Sequence, residues 1–164
     1  MKKIVLTLFL IISVFSFGAK YKMIMSDDVS GKMDINKVNR EEMLRNGVAE
    51  SYVNKIISFR DIKGGIESID ELSRISGIGQ KTCEKLEKFF VVNDIPPLNN
   101  LYINQADDKT LGYYGFDKKE IKKIRKFIKE NKENGKIKNN IILKKVISKE
   151  KYEKYVEIIK YDIY

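Results

Sequence analysis

The chain has no histidine and no tryptophan, a single cysteine at Cys83, and only two prolines, Pro96 and Pro97, in 164 residues. Each shortage removes a class of chemistry. Without histidine, neither a Cys-His nor a Ser-His-Asp nucleophile system can be assembled. With one thiol besides, the usual zinc sites are absent, and no motif asks for a cofactor. One cysteine makes no internal disulfide, and none lies near the N-terminus to accept a lipid. Cys83 falls on the apolar side of a helical pattern, so core packing is its expected role. Long apolar runs are equally scarce. The longest uncharged one, Ile4 to Phe17, is shorter than the roughly 20 residues a spanning helix needs.

That run does have the layout of a signal peptide. Lys2 and Lys3 precede it and the small residues Ser16, Gly18 and Ala19 close it, which sets residues 1–19 aside as an export signal. Cleavage after Gly18 fits the small-residue rule best, and an uncleaved membrane anchor is the alternative. Residues 20–33 follow as a polar, unpatterned tether.

Basic charge is abundant but uneven. The formal net charge of +9 is concentrated in residues 98–164, with 17 basic and 10 acidic side chains, against 11 and 10 in residues 32–93. A field of that sign attracts polyanions or an anionic membrane surface. Lysine supplies 27 of the 32 basic residues, so a compositional bias toward Ile, Asn and Lys is the competing explanation.

From Asp34 onward the helical punctuation is regular. Asn39 and Glu42 form a capping-box pattern for a short helix over Arg40–Arg45, and Asn46-Gly47 ends it. A second helix is expected from Glu50 to Asp61, with Val53, Ile56 and Ile57 inward and Lys55, Ser58 and Arg60 outward, stopped by Gly64-Gly65. Ser68 with Glu71 reads as another capping box, launching a short helix. A last helix is expected to bury Cys83, Leu86, Phe89 and Phe90. Paired prolines then mark a linker over residues 94–99. Beyond it the pattern recurs with a shift of 68 residues: Ile35-Asn36 falls on Ile103-Asn104, Gly47 on Gly115, and Val53, Ile56 and Phe59 on Ile121, Ile124 and Phe127. Internal duplication explains this better than chance. The expected fold is all-α, with one module at 34–93 and a diverged basic copy at 100–164, and no strand signal is strong enough to propose a sheet.

The stretch Ile75 to Phe90 carries the clearest chemistry. Gly77 and Gly79 flank Ile78, so the turn can take a positive φ and admit a foreign group close to the backbone while the isoleucine plugs inward. The helix that opens on Gln80, Lys81 and Thr82 begins with unpaired N–H groups and a positive dipole end, where a phosphate can sit.

Residues 34–92 resemble the tandem helix-hairpin-helix domain of the ComEA-like competence DNA receptors. DINKVNREEM is similar to that domain's opening, NGVAESYVNKIISFRD to its first hairpin and long helix, and GGIESIDELSRISGIGQKTCEKLEKF to its connector and second hairpin. Together with the internal duplication, the resemblance implies two tandem helix-hairpin-helix modules in all. It also implies sequence-independent binding of double-stranded DNA through backbone phosphates, in DNA uptake and without catalysis.

The four hairpins are unequal on that reading. Gly77, Ile78, Gly79, Gln80, Lys81 and Thr82 keep every element of a phosphate site. The first hairpin, with Gly47, Val48, Ala49 and Ser51, has alanine at the second glycine position and Glu50 where phosphate charge should lie. A weakened site and a plain structural turn both fit it. In the third, Asp117 and Glu120 should cap the helix themselves and disfavour phosphate. The helix that follows presents Lys118, Lys119 and Lys122 within a lysine stripe that can hold a phosphate backbone by charge, or simply face solvent. The fourth, Val146 to Lys151, has no glycine and reads as structural. Nothing resembles a recognition helix for base readout, and aromatics fall at core spacings. The alternative function is an envelope interaction module, its basic half docked on envelope proteins or an anionic membrane surface. A repair or cleavage enzyme is the weakest reading, given export and the missing histidines.

Overall fold

The computed structural model describes residues 31–130 and 136–161, so the expected signal segment at 1–19 and most of the tether lie outside it. The first half runs β1 (Met33–Asp34), α1 (Arg40–Arg45), α2 (Glu50–Lys63), a 3-10 helix (Ile69–Arg74), α3 (Gln80–Leu86) and β2 (Phe90–Val91). The second runs β3 (Leu101–Tyr102), α4 (Asp108–Tyr113), α5 (Lys118–Glu130), α6 (Asn140–Val146), α7 (Lys149–Tyr155) and β4 (Ile159–Lys160). Each half packs its helices around a core of its own.

Local capping sets several boundaries where the sequence places them. The Asn39 side chain accepts from the Glu42 amide at 2.9 Å, and Glu42 Oε2 accepts from the Asn39 amide at 3.2 Å, which closes a capping box on α1. α2 ends at Gly64, whose φ of 92° only glycine adopts without strain. Val53, Ile56 and Phe59 are fully buried along α2, while Ile57 is half-buried. Cys83 is buried, as its helical position implies.

Four expectations are corrected. The fold is not purely all-α, because β1 pairs in parallel with β2 and β3 with β4, each pair clasping the two ends of one half. Met33, assigned to the tether, is part of that pairing. All the helices of a half form the crossover that a parallel pair requires. Strands of two residues have no alternation to read, so the sequence was silent. Ser68 makes no side-chain cap. Glu71 points inward instead, where its Oε2 accepts from Lys63 Nζ at 2.7 Å and from the Glu67 amide at 3.1 Å. Helix α3 stops at Leu86, so Phe89 and Phe90 reach the core from the turn and from β2. Arg60 does not face outward, for its guanidinium donates to the carbonyls of Ile35 and Val38 at 3.0 and 2.9 Å.

One hydrogen-bond motif occurs in both halves. Asn36 Nδ2 donates to the Ile66 carbonyl and its Oδ1 accepts from the Ile66 amide, at 2.9 and 2.8 Å. Asn104 does the same with Ile137, at 3.0 and 2.8 Å. The side chain thus ties each half's opening turn to the segment before its second helical pair.

The halves are docked rather than strung apart. Residues 96–99 lie against the C-terminus of α2, where a Cβ on Gly64 would come within 2.5 Å of the Asn99 nitrogen and one on Gly65 within 2.7 Å of the Pro96 ring. The glycine pair is therefore both a helix stop and a seat. Asn99 caps that helix end, its amide donating to the Lys63 carbonyl at 2.8 Å and its Nδ2 to Asp61 at 2.8 Å. Tyr113 belongs to the first core, its ring centroid 4.6 Å from that of Phe59, a contact worth about 0.5–1.5 kcal/mol beyond burial. Tyr114 donates to the Asn99 carbonyl at 2.9 Å, and burial pushes its hydroxyl up to about 12.

Beneath this contact lies a charged cluster. Lys63 is fully buried and its ammonium meets Glu67 at 2.6 Å and Glu71 at 2.7 Å. Arg74 takes the other Glu71 oxygen at 2.9 Å and donates to the Tyr113 carbonyl at 3.1 Å, while Lys154 reaches Glu67 at 3.1 Å. Partial burial alone would raise the Glu67 carboxyl, but the ammonium groups of Lys63 and Lys154 hold it at about 2. Two of these contacts, through Arg74 and Lys154, cross between the halves.

Candidate nucleic-acid interface

The second hairpin is built by the turn between the 3-10 helix and α3. Gly77 has φ 82° and Ile78 is buried beneath it, its amide donating to the Ile75 carbonyl at 2.9 Å. Gly79 is the N-cap of α3, in extended backbone at φ −92°, and its carbonyl accepts from the amides of Thr82 and Cys83. The amides of Gly79, Gln80 and Lys81 find no acceptor among the described residues. They end at the surface, since Gly77, Gly79, Gln80 and Lys81 are exposed and Thr82 is half-buried. The two glycines are therefore needed for different reasons. Gly77 serves the backbone, whereas a Cβ on Gly79 would meet nothing within 4 Å, so its bareness leaves the turn open from outside.

Lys55 joins this site, although its place on α2 assigned it to a solvated face. Its Nζ donates to the Ser76 carbonyl at 2.9 Å and lies 2.7 Å from where a Gly77 Cβ would stand. An ammonium thus sits over the turn. Only the folding of α2 across the later turn, 21 residues on, could reveal it.

The other hairpins divide as their sequences suggest. In the first, Gly47 has φ 85° and Val48 is the buried plug, its amide donating to the Met43 carbonyl. Ala49 caps α2 without a side-chain hydrogen bond, and Ser51 is half-buried. The Glu50 carboxylate is paired with Arg40, which offsets part of the charge that would oppose a phosphate. In the third, Gly115 has φ 80°, but Asp117 Oδ1 accepts from the amides of Lys119 and Glu120 at 2.6 and 2.8 Å. Glu120 Oε2 accepts from the Asp117 amide at 3.1 Å. Led by the Glu120 amide, those bonds hold the Asp117 carboxyl below its ordinary range. The turn has spent the N–H groups an external anion needs. In the fourth, the Ser148 amide donates to Glu120 Oε1 at 2.9 Å and the Ser148 hydroxyl caps α7.

Lys118, Lys119 and Lys122 are exposed on α5, as are Lys123, Lys126 and Lys129. Arg125 is not part of the open stripe, because it pairs with Asp108 at 2.7 Å and donates to the Ala106 carbonyl. Of the inward residues, Ile124 alone is fully buried, with Ile121, Phe127 and Ile128 half-buried. A cleft of about 1000 Å³ opens between the halves, and Ser76 of the second hairpin lines it together with Lys118 and Lys122. Lys119 is not among its lining residues.

Among the described residues no helix is long and apolar enough to cross a membrane. Comparison with known proteins gives two findings. Residues 29–91 match the family model described as helix-hairpin-helix motif. The chain is also similar to ComE operon protein 1 of Bacillus subtilis (strain 168), 32% identical over 71 residues, which cover 42% of this chain and 35% of that protein. The chain thus spans about a third of the length of the curated relative it matches. No solved structure matches it. The chain is accordingly similar to helix-hairpin-helix proteins of the ComEA-like kind.

Proposed function

We propose that the protein is an exported, non-enzymatic, sequence-independent binder of double-stranded DNA that takes part in DNA uptake. The observation that carries this reading is the second hairpin, where three amides without an acceptor among the described residues, a bare Gly79 and an exposed Lys81 occur in one turn, with the Lys55 ammonium held against it. An anion at that position gains backbone donors and charge together, which is how phosphates are held at a turn opening a helix. The helix-hairpin-helix match of residues 29–91 and the chain's similarity to ComE operon protein 1 support the same reading. We read residues 100–164 as a diverged duplicate, supported by the repeated element order and the paired Asn36 and Asn104 bonds. Its hairpins serve as scaffold, and its contribution to DNA comes through exposed lysines, Lys118 and Lys122 among them.

An intact hairpin, a weakened one and a few lysines make on the order of 3 to 5 phosphate contacts, with a dissociation constant near 10⁻⁴ to 10⁻⁶ M at physiological salt. Titration of the full chain with 20-base-pair duplexes of two unrelated sequences, at two salt concentrations, tests this. Equal affinity for both sequences and a salt slope of about −3 to −5 are expected. No binding at low salt, with anionic vesicles bound instead, would replace this reading by the envelope-surface one.

A further inference from the structure

The cleft between the halves shows which part of the lysine helix matters. Its lining brings together Arg74 and Ser76 from the first half with Lys109, Lys118 and Lys122 from the second. Lys119, Lys123, Lys126 and Lys129, although equally exposed on α5, do not border it. We infer that the DNA site is composite: a duplex held at the second hairpin continues across the mouth of the cleft onto Lys109, Lys118 and Lys122, and only these second-half lysines contact its phosphates. The inference rests on the DNA-binding reading and specifies the path of the duplex.

Three features support the path. First, charge at the cleft is basic once internal pairs are removed. Asp108 is paired with Arg125, and Asp117 keeps its charge, held by the amides of Lys119 and Glu120, so three lysines stand against one unpaired lining carboxylate. Arg74 is likewise occupied, by Glu71 and the Tyr113 carbonyl. The three lysines are left, with only a ring contact between Lys109 and Tyr113 at 5.4 Å. Second, Lys118 and Lys122 lie one turn apart, about 6 Å along the helix axis, matching roughly two phosphate steps at about 3.4 Å rise per strand. Third, the halves cannot swing freely. The Phe59–Tyr113 ring contact and the Arg74 bridge fix α4 against the first half, and the Asn99 cap fixes the preceding linker to the end of α2, so the lysines stand in constant register with Ser76. A fixed array need not be ordered at the moment of binding, which lowers the entropic cost.

Two triple variants of the full chain with the same net charge change separate this path from a general basic field. One is Lys109→Gln/Lys118→Gln/Lys122→Gln, at the cleft. The other is Lys123→Gln/Lys126→Gln/Lys129→Gln, farther along the same helix. Circular dichroism checks that both remain folded, and duplex binding is followed against salt. The cleft variant should lose about 2 to 3 from the magnitude of the salt slope and bind at least about tenfold more weakly at low salt. The distal variant should keep its slope within about one. Equal losses in both variants, or no loss in the cleft variant, would overturn the composite site while leaving DNA binding itself standing. Absence of binding by the unaltered chain would instead remove the reading on which it rests.

Discussion

Gly77 and Gly79, two positions apart and separated by the buried plug Ile78, carry separable tasks. Gly77 holds a positive φ, and a side chain there is strained and meets the Lys55 ammonium. Gly79 is extended and open above, so a side chain there fits the fold and obstructs only what approaches from outside. Gly79→Val is therefore the cleaner probe. It should cost no more than about 1 kcal/mol, since valine is a poorer N-cap than glycine. Duplex affinity should fall about tenfold through loss of one or two phosphate contacts. Thermal melting and duplex titration of the same sample check both halves of that statement, and unchanged affinity in a folded variant would count against the hairpin site. The double glycine Gly64-Gly65 shows the same division, one member ending α2 and both admitting the proline segment.

Helix α5 is the element that most separates fold from function. Its start is sealed by Asp117 and Glu120, and Glu120 also accepts from the Ser148 amide, so one capping box ties the third hairpin to the fourth. Removing Asp117 should unseal the turn. Asp117→Gly restores a bare position beside Gly115 and takes away a carboxylate whose charge repels phosphate. Tighter duplex binding is expected, by about threefold to tenfold, with a steeper salt slope. Fluorescence anisotropy on the folded variant reads the effect, and unchanged binding would show that the third hairpin stands away from the duplex. Helix α2 carries the opposite lesson. Its outward lysine, Lys55, becomes part of the second hairpin, and its last residue, Lys63, becomes a buried cation between two carboxylates.

For the molecule as a whole, the cluster of Lys63, Glu67, Glu71, Arg74 and Lys154 couples stability to pH. Glu67 titrates at about 2 in the folded protein against an ordinary value of 4.5. Its ionised form is favoured by the fold, so its contribution is complete above pH 4.5 and is lost as pH falls toward 2. Melting temperature should therefore decline through that window. Glu67→Gln should flatten the decline at the cost of lower stability near neutral pH, where Lys63 keeps only Glu71. Melts of the two proteins between pH 2 and 6 measure this, roughly spanning both titrations. A decline of the same depth in the variant would place the acid sensitivity elsewhere. Because Lys154 reaches Glu67 from the other half, acid should also loosen the docking of the halves, on which the proposed composite site depends.

What the sequence alone determined was local. Asn39 with Glu42, Asp117 with Glu120, and the positive-φ turns at Gly47, Gly77 and Gly115 all act within a few residues, so their patterns could be read from spacing. The difference among hairpins was legible for the same reason. Tertiary structure decided everything that depends on two distant segments meeting. The parallel strand pairs join residues more than fifty positions apart and are too short to leave a periodic trace. Glu71 looked like half of a capping box, but a buried ammonium at Lys63 is a stronger partner than an exposed helix end, and it turned the carboxylate inward. Lys55 over the second hairpin, Tyr113 in the first core and the shared cleft all follow from how the halves dock. Docking rests on long-range contacts whose partners no local pattern names.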